Sequence, residues 1–283
     1  MGVVDPNARD IVRFRGKNLP LHRSVLDASR LCDPDVIVIA TPTSTHSPLC
    51  REATDYLPES VILVEKPAAD SLLDAQRLLE RHEGHQPVNV ALHMAFAPEV
   101  TWGAEVAAAR ASELGGPVSI ESWSADPYQA DLESAGARLG NSWIDSGING
   151  LSVIERFVRV VERLSLRKLG DDSWSAFEGR FLCETNGNQL EATVLTSWRV
   201  TDATRSTRIR YSSGAELVLD HHAVSGYLAR GGGVSDLFGS DGAIPRRDTH
   251  YRALYKSWLV DREPIFSDEV TLRLHKLLLT PMD

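Results

Sequence analysis

Cysteine is scarce in this chain: the three present, Cys32, Cys50 and Cys183, are too far apart to form a C-x-x-C pair. That argues against a disulfide framework and a cysteine-built zinc site, and it fits a reducing, cytoplasmic setting. Basic charge is short as well, with 30 Lys and Arg against 39 Asp and Glu, a net charge of −9 and a pI near 5.5. A field of that sign disfavours nucleic acid and anionic membrane surfaces, and no basic stripe is interleaved with aromatic residues. No apolar run approaches the roughly 20 residues needed to span a bilayer, and the opening MGVVDPNARD lacks the layout of a signal peptide. The expectation is a soluble cytoplasmic protein with no nucleic-acid partner, no membrane partner and no metal.

What is present reads as two domains, since 283 residues is long for one core. In the first third, short apolar runs alternate with amphipathic stretches. GVV (Gly2 to Val4) stops at Asp5-Pro6. DVIVIATP (Asp35 to Pro42) has a β-branched core suited to a strand buried on both faces, and SVILVEKP repeats that form before PVNVAL. Helices are expected between them, at Pro48 to Leu57 and in DSLLDAQRLLERHEG, which ends at Gly84. The β-α-β-α-β order implies a parallel, doubly wound sheet over residues 1–95.

Residues 96–283 read as an α+β domain. A helix is expected over Pro98 to Leu114, a strand at PVSIESWSA, and a loop over Asp126 to Asn141. GLSVIERFVRVVERL has the spacing of an amphipathic helix. The strands SAFEGRFLCE, QLEATVLTSWR, TRSTRIRYSS and AELVLDHHAVSGYL predict an open, mainly antiparallel sheet, with hairpin signals at Asn186-Gly187 and Ser213-Gly214. ARGGGVSDLFGSDG reads as a flexible surface segment, and helices over Asp248 to Leu259 and near the C-terminus close the chain.

In open parallel sheets, ligands collect at the carboxyl ends of the strands. Three such ends carry polar groups: Asp5, the loop Thr41-Pro42-Thr43-Ser44-Thr45-His46, and Glu65-Lys66-Pro67. Asp5 suits hydrogen bonds from ribose hydroxyls or a turn before Pro6; Ser44 or Thr45 suits a helix N-cap. Asp145 and Asn149 share a helical face, although Asp145 also suits an N-cap with Gly147 easing the helix start. His82 and His85 flank Gly84 at a helix end, where a cation is favoured by the dipole. His221 and His222, adjacent in a strand, should point to opposite faces, which argues against joint ligation. His93 closes the NVALH strand and suits a cleft lining, and Trp123 and Trp143 suit cleft walls or core packing.

DPDVIVIATPTSTHSPLCREA followed by ILVEKPAADSLLDAQRLLE resembles the glucose–fructose oxidoreductase / inositol dehydrogenase family, and the likeness continues through AFAPEV, LGGPVSI and IDSGINGLSVIERF. The resemblance implies a Rossmann dinucleotide-binding domain followed by a substrate and oligomerisation domain. It implies a nicotinamide-dependent oxidoreductase acting on a sugar or cyclitol, and a homodimer or homotetramer. By resemblance, Lys66 is the active-site lysine, Glu65 lies near the nicotinamide ribose, and Pro67 is often cis. Asp5, Thr41, Pro42, Thr43, His46, Glu65, Lys66 and Pro67 are expected at the cofactor; Lys66, His93, Trp143, Asp145 and Asn149 at the substrate. Most members carry Asp-x-Gly-x-His where this chain has Asn149, a form that resembles the aldose 1-dehydrogenase branch. There the lysine, aspartate and asparagine surround the anomeric hydroxyl. An asparagine orients that hydroxyl but does not accept its proton, which would pass to Lys66 or Asp145. Asp5 favours NAD, with NADP as the alternative, because a carboxylate repels a 2′-phosphate.

The family's glycine-rich turn, G-x-G-x-x-G, which holds the pyrophosphate, does not occur in this sequence. By resemblance, one βα unit that would place a strand between those ending at Asp5 and Thr41 is missing before Met1. Either the start is misassigned and the protein is a sugar dehydrogenase, or the chain is a non-catalytic relative serving as a sugar-binding or interaction protein. The burial and hydrogen bonds lost with a central strand favour the first.

Overall fold

The computed structural model describes residues 1–7, 12–80, 88–170, 174–262 and 264–281. They divide into a unit of Met1–Ala91 and a unit of Leu92–Asp283. In the first, β1 (Val3–Val4) is followed by a hairpin of β2 (Val12–Phe14) and β3 (Lys17–Leu19). Strand β4 (Leu21–His22) then returns parallel to β1. Helix α1 (Val25–Ser29), whose Ser24 cap accepts from the Asp27 N–H, leads to β5 (Val36–Ile39). Next come α2 (His46–Tyr56), β6 (Val61–Glu65), α3 (Leu72–Leu79) and β7 (Val88–Ala91). Strands β5, β6 and β7 lie side by side, all parallel, as the alternation of apolar runs and helices requires.

Burial follows position in that sheet. Central β6 buries Ile62, Leu63 and Val64, whereas Val38 of β5 is exposed. The expectation that β5 is buried on both faces is thus corrected: among the described residues it is an edge strand paired with β6, and Val38 faces solvent. Thr45 stands at the N-cap of α2 but makes no cap bond; its hydroxyl donates to Pro42 O at 2.7 Å and shares a second hydrogen bond with the Thr41 hydroxyl, also at 2.7 Å. The expected end of α3 at Gly84, and with it His82 and His85, lies outside the described residues.

The second unit opens with a 3₁₀ turn, His93–Phe96, and α4 (Pro98–Ala109). The single helix expected to Leu114 breaks at Arg110, and a short α5 (Ala111–Leu114) ends at Gly115, φ 70°. Strand β8 (Pro117–Ala125) matches its expected span. The expected loop after it contains α6 (Leu132–Leu139), which buries Ala135 and stops at Gly140, φ 80°. Helix α7 (Ser142–Glu155) then gives way to β9 (Arg159–Lys168). The expectation of one helix through Leu164 therefore fails in its second half. Val158, Val160 and Val161 are β-branched, and Val160 packs inward where β9 pairs with β10 (Ala176–Thr185).

Strands β11 (Asn188–Ser197) and β12 (Thr204–Tyr211) follow as expected. AELVLDHHAVSGYL is two strands, not one: β13 (Glu216–Asp220) and β14 (Ser225–Arg230). His221 and His222 lie in the turn between them, one buried and one exposed, because Asp220 Oδ1 accepts from the N–H groups of His222 and Ala223 and bends the chain. The glycine-rich segment is also ordered. Gly231 and Gly232, at φ 59° and 84°, turn the chain into β15 (Gly233–Gly239). All eight strands form one sheet, β15-β14-β13-β12-β8-β11-β10-β9, antiparallel except for the β8–β11 pair. Helix α8 (Arg246–Tyr255) runs into a π-helical segment, Lys256–Asp261, and α9 (Asp268–Leu279) closes the unit.

Helix α7 packs onto β8 and β11, and Gly150 sets how closely. A Cβ on Gly150 would stand 2.8 Å from Val194 Cγ1 and 3.2 Å from Ser122 Oγ. Gly150→Ala should destabilise this unit by about 1–3 kcal/mol through overpacking, less up to about 1 kcal/mol of helix propensity regained. Urea unfolding checks this, and a stabilised variant would contradict the contact.

Two histidines make the same unit sensitive to acid. Burial pushes His250 and His275 down to about 4, so both rings are neutral in the folded chain near pH 7. An unfolded histidine titrates near 6.5, so below that pH the unfolded state binds more protons and stability falls as pH drops towards 4. At pH 5 the loss should be about 2 kcal/mol per ring relative to pH 8. Denaturant midpoints that stay constant from pH 8 to pH 5 would contradict it.

Candidate functional site

In the first unit, polar groups gather at the carboxyl ends of β5 and β6. The apolar run of β6 ends at Glu65, and the Lys66-Pro67 peptide bond is cis. Lys66 is half-buried, and Pro67, Ala68 and Ala69 behind it are buried. The loop after β5 presents Thr41 and Pro42 on the surface. Asp5, at the end of β1, accepts from the Asn7 N–H at 2.8 Å, so the turn expected there is present.

His46 differs from the expectation of a cofactor contact. It is 1% exposed, and both ring nitrogens face backbone carbonyls: Nδ1 lies 2.9 Å from Pro67 O and Nε2 lies 2.8 Å from Thr41 O. No ring nitrogen is left to reach a ligand.

In the second unit, α7 carries Asp145 and Asn149 one turn apart on one face. The cap of α7 is Asn141, whose Oδ1 accepts from the Ile144 N–H at 2.8 Å, so Asp145 is not needed as a cap. Asn149 is buried, and its Oδ1 has no hydrogen-bond partner among the described residues. Ser146 donates to Asp126 at 3.2 Å and to Asp145 at 3.3 Å. Asp126 is also held by Arg205 in an ion pair between β12 and the end of β8. Burial, then the carboxylates of Asp145 and Asp126, push the Tyr128 hydroxyl up. The α7 face with Asp145 therefore belongs to a polar cluster with Asp126, Tyr128 and Arg205.

His93 stacks on Tyr251, with ring centroids 4.9 Å apart, and on His250 at 5.8 Å. Trp143 corrects the expectation of a substrate contact. It is 2% exposed, stacks on Phe181 and donates Nε1–H to Leu278 O at 3.0 Å, so it is core. Trp123, in contrast, is partly exposed on β8.

A further arrangement looks chemical and is structural. His221 places Nδ1 2.8 Å from Glu99 Oε1 and Nε2 2.9 Å from Thr207 Oγ1, which donates to Ser122 Oγ at 3.1 Å. Carboxylate, imidazole and hydroxyl in line are the parts of an activated nucleophile. Glu99 and Thr207 have no measurable exposure, however, so no substrate carbonyl can approach the hydroxyl. This chain holds α4, β8, β12 and the β13–β14 turn together. None of its members, nor Asp126 and Arg205, was expected from the sequence as a site residue. Their partners lie apart along the chain and meet because β8 and β13 flank β12 and α4 packs on β13 and β14.

Comparison with known proteins bears on the fold. Residues 1–92 match the GFO/IDH/MocA family model, described as an oxidoreductase family with an NAD-binding Rossmann fold. No curated protein sequence matches the chain. Among solved structures, levoglucosan dehydrogenase in complex with NADH and levoglucosan is similar at a TM-score of 0.73 and 12% identity, covering 91% of this chain and 80% of that one. Aldose–aldose oxidoreductase from Caulobacter crescentus, complexed with glycerol, gives 0.71 at 16% identity, covering 92% and 79%. UDP-N-acetylglucosamine 3-dehydrogenase from Acidithiobacillus ferrooxidans gives 0.68 at 20% identity, covering 92% and 81%. The fold is thereby shown: a Rossmann NAD-binding unit followed by a unit built on a mainly antiparallel sheet.

Proposed function

We propose that this chain is an oxidoreductase that removes hydride from a CH–OH carbon of a sugar or cyclitol, with NAD as its cofactor. The observation that carries the reading is the pairing of the Thr41 loop with the Glu65-Lys66-Pro67 turn at neighbouring strand ends, in a region matching an NAD-binding family model. The donor set suits the cofactor. Asp5 offers a carboxylate to ribose hydroxyls, and Thr41 and Pro42 form an exposed loop at a strand end, where such ligands bind, with Thr43 opening the 3₁₀ turn that follows. The chemistry NAD brings when bound is acceptance of a hydride.

The remaining roles belong to the chain. Lys66 Nζ takes the hydroxyl proton as the C–H bond is lost, and Glu65 lines the ribose. Asn149 Oδ1, a buried acceptor, takes a hydrogen bond from a substrate hydroxyl and orients it, since an unpaired buried acceptor is costly. Asp145 accepts from a second hydroxyl and is the alternative proton acceptor. His93, stacked on Tyr251, lines the substrate's path. An aldose oxidised at C1 is the substrate this set favours, because Asn149 stands where a histidine base would be expected by resemblance. The carboxylate of Asp5 favours NAD over NADP.

The partly exposed Trp123 and half-buried Leu195, on the sheet face away from α7, suit association of two copies as a homodimer. The setting that fits three unpaired cysteines, two of them buried, is the cytoplasm.

NAD should raise the thermal midpoint as a ligand of the folded state does, by about 2.7 kcal/mol of stabilisation at a hundredfold excess over Kd. NADP should do so less at equal concentration, and Asp5→Ala should narrow the gap. A melting curve indifferent to both dinucleotides would refute the cofactor assignment.

A further inference from the structure

The first turn of α2 presents two adjacent side chains, His46 and Ser47, both buried, to the segment that follows Lys66. His46 Nδ1 meets the carbonyl of Pro67 at 2.9 Å, the residue after the lysine. Its Nε2 meets the carbonyl of Thr41 at 2.8 Å, where β5 runs out into its loop. Both acceptors are backbone, so the ring ties the end of one strand to the turn after the next. A neutral imidazole has one N–H to give and an imidazolium two, and carbonyl oxygens can only accept. Ser47 adds a second tie. Its hydroxyl donates to Asp74 Oδ1 at 3.2 Å; Asp74 Oδ2 accepts from Ser71 Oγ at 2.8 Å, and Asp74 N–H donates to Ser71 Oγ at 3.1 Å. Residues 67–71 are thus held at both ends by consecutive residues of one helix.

We propose that His46 is a positioning residue: with Ser47 it clamps the segment after Lys66 and so fixes where the lysine amine stands, without touching the cofactor itself. The inference rests on the reading of Lys66 as the proton acceptor. A lysine side chain has four rotatable bonds, so its amine is placed only as well as its backbone is held. A shift of about 1 Å in a reacting group can cost on the order of a hundredfold in rate.

The test compares His46→Phe, which keeps a ring and removes every ring N–H donor, with His46→Gln, whose amide nitrogen restores donors. Three quantities are read on the full chain: NADH affinity by fluorescence, kcat on the best aldose, and the rate at which an amine reagent labels Lys66, followed by peptide mass spectrometry. The clamp predicts for His46→Phe a kcat lower by about 10- to 100-fold. It also predicts a Lys66 labelling rate changed several-fold and an NADH affinity within about twofold of the parent, with His46→Gln recovering part of both losses. Should His46→Phe not fold, Ser47→Ala together with His46→Gln takes its place, and each should shift Lys66 labelling. Unchanged labelling in a folded variant overturns the clamp, as does a loss of NADH affinity with kcat intact. Labelling needs neither cofactor nor turnover. A chain that shows the labelling shift but no dehydrogenase activity therefore keeps the clamp and sinks the functional reading.

Discussion

Replacing Lys66 with alanine should lower NADH-forming turnover by about 10²- to 10⁴-fold, the range over which a positioned proton acceptor acts. Strand β6 is central in its sheet, with β5 and β7 on either side, and Ile62, Leu63 and Val64 are buried. The chain leaves that strand through a half-buried lysine and a buried proline. A lysine used only for solubility would sit on a helix surface or in an open loop. This one stands at a strand end beside the Thr41 loop, with its following residues tied to α2. Because Lys66 is also expected at the cofactor, dinucleotide affinity is measured alongside, and at saturating NAD the loss should remain in kcat. Lys66→Arg should not rescue, because a guanidinium does not give up its proton in this range. Turnover within threefold of the parent would move the proton-accepting role to Asp145.

The second large effect concerns stability. Removing one partner of a buried hydrogen-bonded pair leaves the other polar group unsatisfied, at a cost of about 1–3 kcal/mol. Glu99 and His221 form such a pair in the second unit, at 0% and 1% exposure. His221→Leu should therefore lower the thermal midpoint by roughly 2–12 °C for a unit of this size. Replacing both, Glu99→Leu with His221→Leu, should recover much of that loss, since apolar substitutes for a buried pair are often neutral or better. Losses that simply add in the double variant would show that the two side chains act separately.

The first unit was legible in the sequence because its signals are local. Runs such as Val61 to Val64 need only their own composition to declare a buried strand, and the intervening helices follow from spacing. Val38 escaped that logic, because whether a β-branched strand is central or at an edge depends on its neighbours, not on itself. The stretch from Phe157 to Leu164 misled for a different reason. Its apolar residues fit a helical period and an alternating one about equally, and pairing with β10 decided between them. Trp143 carried no local mark separating a core indole from a cleft wall; Leu278 and Phe181, its partners, are distant in sequence. Asp126 and Arg205 were invisible for the same reason. The candidate residues at strand ends, Thr41, Glu65 and Lys66, were readable because a strand end marks itself.

The central claim is hydride removal from a sugar or cyclitol. Its most direct measurement is NADH formation when the chain is incubated with NAD and, in turn, a panel of aldoses and inositols. NADH should form with at least one aldose, in amounts matching the sugar oxidised, and not with Lys66→Ala on the same timescale. A folded chain that forms no NADH with any member of the panel would contradict it.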